Sequence, residues 1–259
     1  MQIALIGAGN VAFHLAKGLE AAGHQITEVY SRTLNRADLL ARQLYAAQPT
    51  NHPDLSQSKA QFFLLCVADD AYPMLLPQLR FPKLAIVAHT AGSLPMHLLA
   101  PFALRFGVFY PLQTFSRQKA LDLQMVPFCI EASDEQVRAS LRSLAASLSR
   151  QVLDVSSADR QRLHLAAVFA CNFTNHLLSI AQHLLVEREM ELTLLHPLLR
   201  ETMAKALLNG PTNAQTGPAI RGDDQLIQQH LDSLQTDHPA WATLYQALSR
   251  DIKVQYAKI

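Results

Sequence analysis

The chain opens with a short apolar run, Gln2-Ile-Ala-Leu-Ile6. This passes directly into Gly7-Ala-Gly9-Asn-Val-Ala12 and an amphipathic stretch closed by Gly23. A strand, a glycine turn and a helix joined end to end leave few folds open. The G-x-G-x-x-A spacing in that setting is a dinucleotide fingerprint. Gly7 permits the tight turn off the strand, Gly9 offers bare backbone to a pyrophosphate, and Ala12 lets the helix lie close to the strand. The first helical amides and the positive end of the helix dipole then face the phosphates. Gly7, Ala8, Gly9, Asn10 and Val11 are therefore the expected phosphate-binding residues.

The junction after the second strand, residues 25–30, reads Ser31-Arg32-Thr33. Chains that bind NAD carry Asp or Glu here, about 20 residues past the glycines, to hold the ribose hydroxyls. Two hydroxyls around a guanidinium suit a 2′-phosphate instead, so the expected cofactor is NADP, held by Ser31, Arg32 and Thr33. The alternative is a solvated arginine beside a helix cap.

Strand and helix patterns then alternate. Residues 34–46 read as a helix and 48–58 as a polar, proline-bearing loop. Phe62-Phe-Leu-Leu-Cys-Val-Ala68 is continuously apolar, as in a strand buried on both faces of a parallel sheet. Its exit, Val67 and Ala68, should line the cofactor. Asp69-Asp70 should cap a following helix reaching residue 79. The strand at 84–88 delivers His89, Thr90, Ala91, Gly92 and Ser93 at its carboxyl end, where open α/β sheets bind ligands. The first four are expected near the nicotinamide. Residues 106–110 form another strand, leaving Tyr110 and Gln113 as a candidate substrate wall; the alternative is a rigid proline turn with Tyr110 in the core. Further strands at 126–131 and 151–155 enclose a helix at 134–148. The pattern predicts an α/β fold, with a doubly wound, mostly parallel Rossmann sheet over residues 1–153.

From residue 154 to 259 only helical periodicity remains, which predicts an all-helical domain for substrate binding and dimerisation. Its first helix should run over 158–190 and its second over 197–208, with two more after a break at 209–218. On the first, His164, Cys171, Asn172 and Asn175 share a face by helical offset. Polar groups within an apolar stretch need partners. His164 is the candidate proton carrier and Asn172 the group that orients the reacting atom. The alternative is a set of hydrogen bonds that only fixes the helix against the sheet. Arg221 could hold a substrate carboxylate or pair with Asp223 or Asp224. His176 and His183 lack ligand-spaced partners, so no metal is expected.

Composition narrows the partners. A net charge of +1 over 259 residues gives no basic excess for nucleic acid. Cys66, Cys129 and Cys171 are widely spaced among apolar neighbours and read as buried thiols of a reducing compartment. The first strand has no basic leader before it, and no uninterrupted apolar run nears about 18 residues. The expectation is a cytoplasmic protein with no membrane contact.

Six motifs together carry a resemblance. They are Gly7-Ala-Gly-Asn-Val-Ala12, Val29-Tyr-Ser-Arg-Thr33, His89-Thr-Ala-Gly-Ser93, Phe109-Tyr-Pro-Leu-Gln-Thr-Phe-Ser116, the segment from His164 to His176, and Thr216-Gly-Pro-Ala-Ile-Arg-Gly-Asp223. The chain resembles the Rossmann-like NADP oxidoreductases whose helical C-terminal domain has no assigned function. Its first half is similar to pyrroline-5-carboxylate reductase and the deazaflavin-dependent NADP reductases. Its layout resembles 6-phosphogluconate dehydrogenase and the related β-hydroxyacid dehydrogenases. The resemblance implies NADP binding and a homodimer built through the helical domains. It departs at the lysine that β-hydroxyacid dehydrogenases place four residues before a helix asparagine, since Val168 and Cys171 stand at the corresponding positions.

These readings converge on an NADP(H)-dependent oxidoreductase moving a hydride to or from a C=O or C=N bond of a small molecule, in a cleft between the domains. The rival is a non-catalytic NADPH-binding sensor or regulatory protein.

Overall fold

Alternating side chains on the first strand decide the layering of the sheet. In β1 (Gln2–Ile6), Ile3 and Leu5 enter one apolar cluster, while Ala4 and Ile6 enter another. Both faces of the strand therefore need cover, which helices on either side provide. The computed structural model describes residues 1–256 and divides them into two compact units, Met1–Asn172 and a second beginning at Phe173.

In the first unit the order continues α1 (Asn10–Ala21), β2 (Gln25–Tyr30), α2 (Leu34–Ala41), β3 (Gln48–Thr50), β4 (Phe62–Leu65), α3 (Tyr72–Leu75) and β5 (Ile86–His89). It ends with β6 (Arg105–Pro111), β7 (Phe128–Ala132), α4 (Glu135–Ala146), β8 (Val152–Asp154) and α5 (Ser157–Ala167). The sheet order is β3-β2-β1-β4-β5-β6-β7-β8, and every neighbouring pair is parallel except β6 with β7. Leu15 and Leu19 of α1 and Leu141 and Leu144 of α4 pack on one face. Tyr72 and Leu75 of α3, with Leu79 and Leu99, cover the other. The sheet is the doubly wound, mostly parallel one expected.

Several local readings differ. Gln48–Thr50, read as loop, pairs with β2 as an edge strand, a position where Pro49 is tolerated. Asp69 and Asp70 head a 3-10 turn without capping it, and α3 stops at Leu75, two residues before Pro77. Cys66 and Cys129 are buried as expected, but Cys171 is exposed.

The long helical stretch is interrupted. After α5, Val168–Phe173 form a π turn, followed by α6 (Thr174–Val186). The stretch Ser157–Val186 is, by length and composition, long and apolar enough to cross a membrane, which the sequence reading did not anticipate. Charge at its start, from Asp159, Arg160 and Arg162, and polar groups along it broke every uninterrupted apolar run.

The second unit continues with α7 (His196–Asn209), the short α8 (Pro211–Ala214) and α9 (Pro218–Arg221), then α10 (Asp224–Asp237) and α11 (Pro239–Tyr256). Trp241 stacks on His238 at 3.9 Å, and His238 Nε2 donates to Glu187 at 2.7 Å. Asp223 caps α10 through the Leu226 amide, and Asp224 pairs with Lys253, so neither is matched with Arg221.

The start of α5 is fixed by a buried charge. Arg160 is 0% exposed and donates to Glu131 Oε2 of β7 at 2.6 Å. It also donates to the Leu94 carbonyl and to Ser157 Oγ. The Ser157 hydroxyl in turn donates to Glu131 at 2.7 Å and accepts the Met96 amide at 2.9 Å. These bonds join α5 to β7 and to the loop after β5. Removing one partner of a buried pair strands the other, at a cost of about 3–5 kcal/mol. Arg160→Ala should therefore lower the stability of the first unit by about that amount in urea unfolding followed by circular dichroism.

Candidate functional site

Two adjoining cavities open at the carboxyl ends of β1, β4, β5 and β6. Both depend on missing side chains. Gly7 sits at φ +111, and a Cβ there would collide with the Cys66 carbonyl. A Cβ on Gly9 would meet nothing within 4 Å. The first glycine thus serves close approach, and the second leaves backbone uncovered. Gly9 precedes α1 without any side-chain cap, so the first-turn amides of that helix remain available. Ala12 is fully buried at the helix–strand contact.

The first cavity, 260 Å³, brings together Gly7, Ala8 and Gly9 with Ser31, Arg32 and Thr33; Val67, Ala68 and Asp70 also line it. Arg36 joins them, a cation that the sequence reading missed. It sits on the first turn of α2, three residues past the Thr33 that precedes the helix, and no residue pattern before that helix signals it. Two guanidiniums and two hydroxyls at the end of β2 suit a phosphate monoester, and the open turn beside them suits a pyrophosphate. The residues present fit NADP.

The second cavity, 410 Å³, shares Gly9, Val67 and Ala68 with the first and adds Asn10 and Val11. Thr90, Ala91 and Gly92 form one wall, and Tyr110, Gln113 and His164 another. The Tyr110 hydroxyl lies 3.2 Å from His164 Nδ1. Gly92 permits this meeting, because a Cβ there would stand 2.8 Å from His164 Cγ and 2.9 Å from Tyr110 Cζ. Burial pushes the Tyr110 phenol up to about 12, reinforced by Cys129 and opposed by Arg160. Its hydroxyl therefore keeps its proton across the neutral range.

Two expected residues lie elsewhere. His89 is fully buried and lines neither cavity. Its Nδ1 accepts the Ala91 amide at 3.2 Å, and burial, aided by Arg160, holds the ring neutral with its pKa lowered to about 3. It shapes the loop from beneath. Asn172 is exposed outside both cavities. The intervening π turn breaks the 100° count that aligned it with His164. Asp69, read as a cap, instead lines the second cavity and accepts the Ser93 hydroxyl. A larger cavity of 670 Å³ lies by Met1, Gln61, Ile86 and Arg105, away from the carboxyl ends where open α/β sheets bind ligands.

Residues 2–92 match the family model described as NADP oxidoreductase, coenzyme F420-dependent. Residues 126–252 match a domain of unknown function, DUF2520. A Bacteroides fragilis protein assigned as an NADP oxidoreductase is 42% identical over 97% of both chains, with a TM-score of 0.90. The fold is also similar to 1-pyrroline-5-carboxylate reductase from Streptococcus pyogenes, at 17% identity over 98% of each chain and a TM-score of 0.63. A reductive aminase from Aspergillus terreus, solved with NADPH and ethyl levulinate, matches at 14% identity over 97% of this chain and 93% of its own, with a TM-score of 0.70. No curated protein matches by sequence.

The geometry at the end of β2 yields a direct test. Arg32→Ala should raise the dissociation constant for NADPH by about 10- to 100-fold, the worth of a charge-assisted bond to phosphate. Binding of NADH should change by less than about threefold, and Arg36→Ala should follow the same pattern more weakly. Cofactor fluorescence titration measures all four constants.

Proposed function

This chain belongs to the NADP oxidoreductase family, and we propose that it acts on a C=O or C=N bond of a small molecule, with His164 as proton carrier. The observation that supports this most is the 3.2 Å contact between Tyr110 and His164 over the bare Gly92 backbone, in a cavity contiguous with the phosphate turn. NADP, when bound, supplies or takes up the hydride. The chain's own residues hold the cofactor and manage the proton. Gly7 to Val11 receive the pyrophosphate, Ser31, Arg32, Thr33 and Arg36 the 2′-phosphate, and Val67, Ala68, Thr90, Ala91 and Gly92 the nicotinamide end.

A charged His164 carries protons on both nitrogens. Nδ1–H donates to the Tyr110 hydroxyl, and the Nε2 proton passes to the substrate oxygen or nitrogen. The neutral ring keeps its Nδ1 proton and goes on donating it to the Tyr110 hydroxyl. Tyr110 thus serves both states without ionising, and Gln113 forms part of the substrate wall.

A second observation favours the C=N side. Asp69 is the one carboxylate lining the second cavity among the described residues, and no Lys or Arg lines it. A carboxylate there suits a protonated imine better than an anionic carbonyl compound. The names of the pyrroline-5-carboxylate reductase and reductive aminase relatives point the same way.

We assign residues 1–153 to NADP binding and 154–259 to substrate binding and dimerisation. Exposed apolar side chains on α6 and α7 support a homodimer. They include Leu177, Leu198 and Met203, with Leu207 at 87% and Leu208 at 84% exposure. Such surface is normally covered by a partner. Buried free Cys66 and Cys129 fit a cytoplasmic setting.

Two experiments test this reading. NADPH absorbance should fall with at least one member of a panel of cyclic imines, ketones and aldehydes. His164→Ala should then lower kcat by about 10²- to 10⁴-fold, leaving NADPH affinity unchanged. Retained turnover in the variant removes the proton role, and an inert panel favours the non-catalytic binder. Light scattering after size exclusion, without detergent, should give a dimer mass that Leu207→Glu with Leu208→Glu reduces to a monomer.

A further inference from the structure

The segment after β6 is bound to the glycine turn by three successive contacts. Asn10 Nδ2 donates to the Phe115 carbonyl at 3.0 Å, and His14 Nε2 donates to the Ser116 carbonyl at 2.9 Å. Arg117 then donates to the carbonyl of Ala8, inside the turn itself. Its guanidinium also lies 5.4 Å from the Phe13 ring centroid, on the first turn of α1. Arg117 lines neither cavity of the site, so any effect on the cofactor must pass through Ala8.

The peptide geometry states what that effect is. A trans peptide is planar, with its C=O and N–H directed oppositely. Holding the Ala8 carbonyl from the side of the segment after β6 turns the Gly9 N–H to the opposite side. Gly9 lines both cavities and carries no side chain to cover that amide. A cationic donor on the carbonyl also polarises the peptide group, which strengthens its N–H as a donor. We propose that Arg117 is a positioning residue for the pyrophosphate, fixing the Ala8–Gly9 peptide so that the Gly9 amide is presented to the phosphates. The inference rests on the phosphate-turn reading and is independent of the reaction or the substrate.

Its signature differs from that of Arg32, which addresses the 2′-phosphate alone. The test titrates NADPH, NADH and adenosine 2′-monophosphate, which has no pyrophosphate, against the full-length wild type, Arg117→Ala, Arg117→Lys and Arg32→Ala. Arg117→Ala should weaken NADPH and NADH by the same factor, about 5- to 10-fold, with binding of adenosine 2′-monophosphate unchanged. Arg117→Lys should recover part of the loss, since a lysine retains the charge on a shorter, less directed donor. Unchanged coenzyme affinity in Arg117→Ala overturns the proposal, as does a loss confined to NADPH. A parallel loss for adenosine 2′-monophosphate overturns it in favour of general loosening of the site. Failure of the wild type to bind either coenzyme would instead sink the cofactor assignment itself.

Discussion

The buried pairing of Arg160 with Glu131 is the interaction on which the arrangement of the first unit turns. A fully desolvated guanidinium is costly unless every acceptor around it is in place. Here Glu131, Ser157 and the Leu94 carbonyl take up its two terminal nitrogens while Nε is left without a partner, and they do so only when α5, β7 and the loop after β5 hold one relative position. That position sets His164, one helical turn beyond Arg160, against Tyr110 and Gly92. Apolar residues could fill the same space with less demand for register. The charge makes the arrangement specific, and its field adds to the burial that keeps His89 neutral.

The charges of the site divide along its length. Arg32 and Arg36 stand where β2 ends and outnumber Asp70 in that cavity, and Asp69 stands beside the Tyr110–His164 pair. The glycine turn lies between the two ends, contributing backbone dipoles and no formal charge. An anionic tail is drawn to one end while the reacting end favours neutral or cationic groups. One ligand polarity is thereby matched to one orientation in the groove.

How much of this was legible in the sequence depended on the range of the interaction. The β1–turn–α1 unit was readable because strand, glycines and helix act within adjacent residues. Ser31, Arg32 and Thr33 were readable for the same reason, whereas Arg36 reaches them only through the way α2 starts after Thr33. The strand Gln48–Thr50 was hidden because three residues carrying a proline have no measurable period. The antiparallel joining of β6 to β7 depends on the path of the connection between them, which side-chain pattern does not encode. The π turn at Val168–Phe173 defeated the alignment of Asn172 with His164, since a counting rule assumes an unbroken α-helix. Tyr110 and His164 were each singled out, but their contact arises from sheet order and the absent side chain of Gly92.

Both margins of the sheet are built to discourage strand addition. One margin, β3, is three residues long with an imide nitrogen at Pro49 that cannot donate to an incoming chain. The opposite margin, β8, is equally brief, and Asp154 there is engaged by Arg138 and Arg142 of α4. Ribbon-to-ribbon fusion of two copies would have to displace these features. Self-association along that route is opposed at both ends, so the exposed apolar faces of α6 and α7, rather than the backbone, are the surface left for a partner.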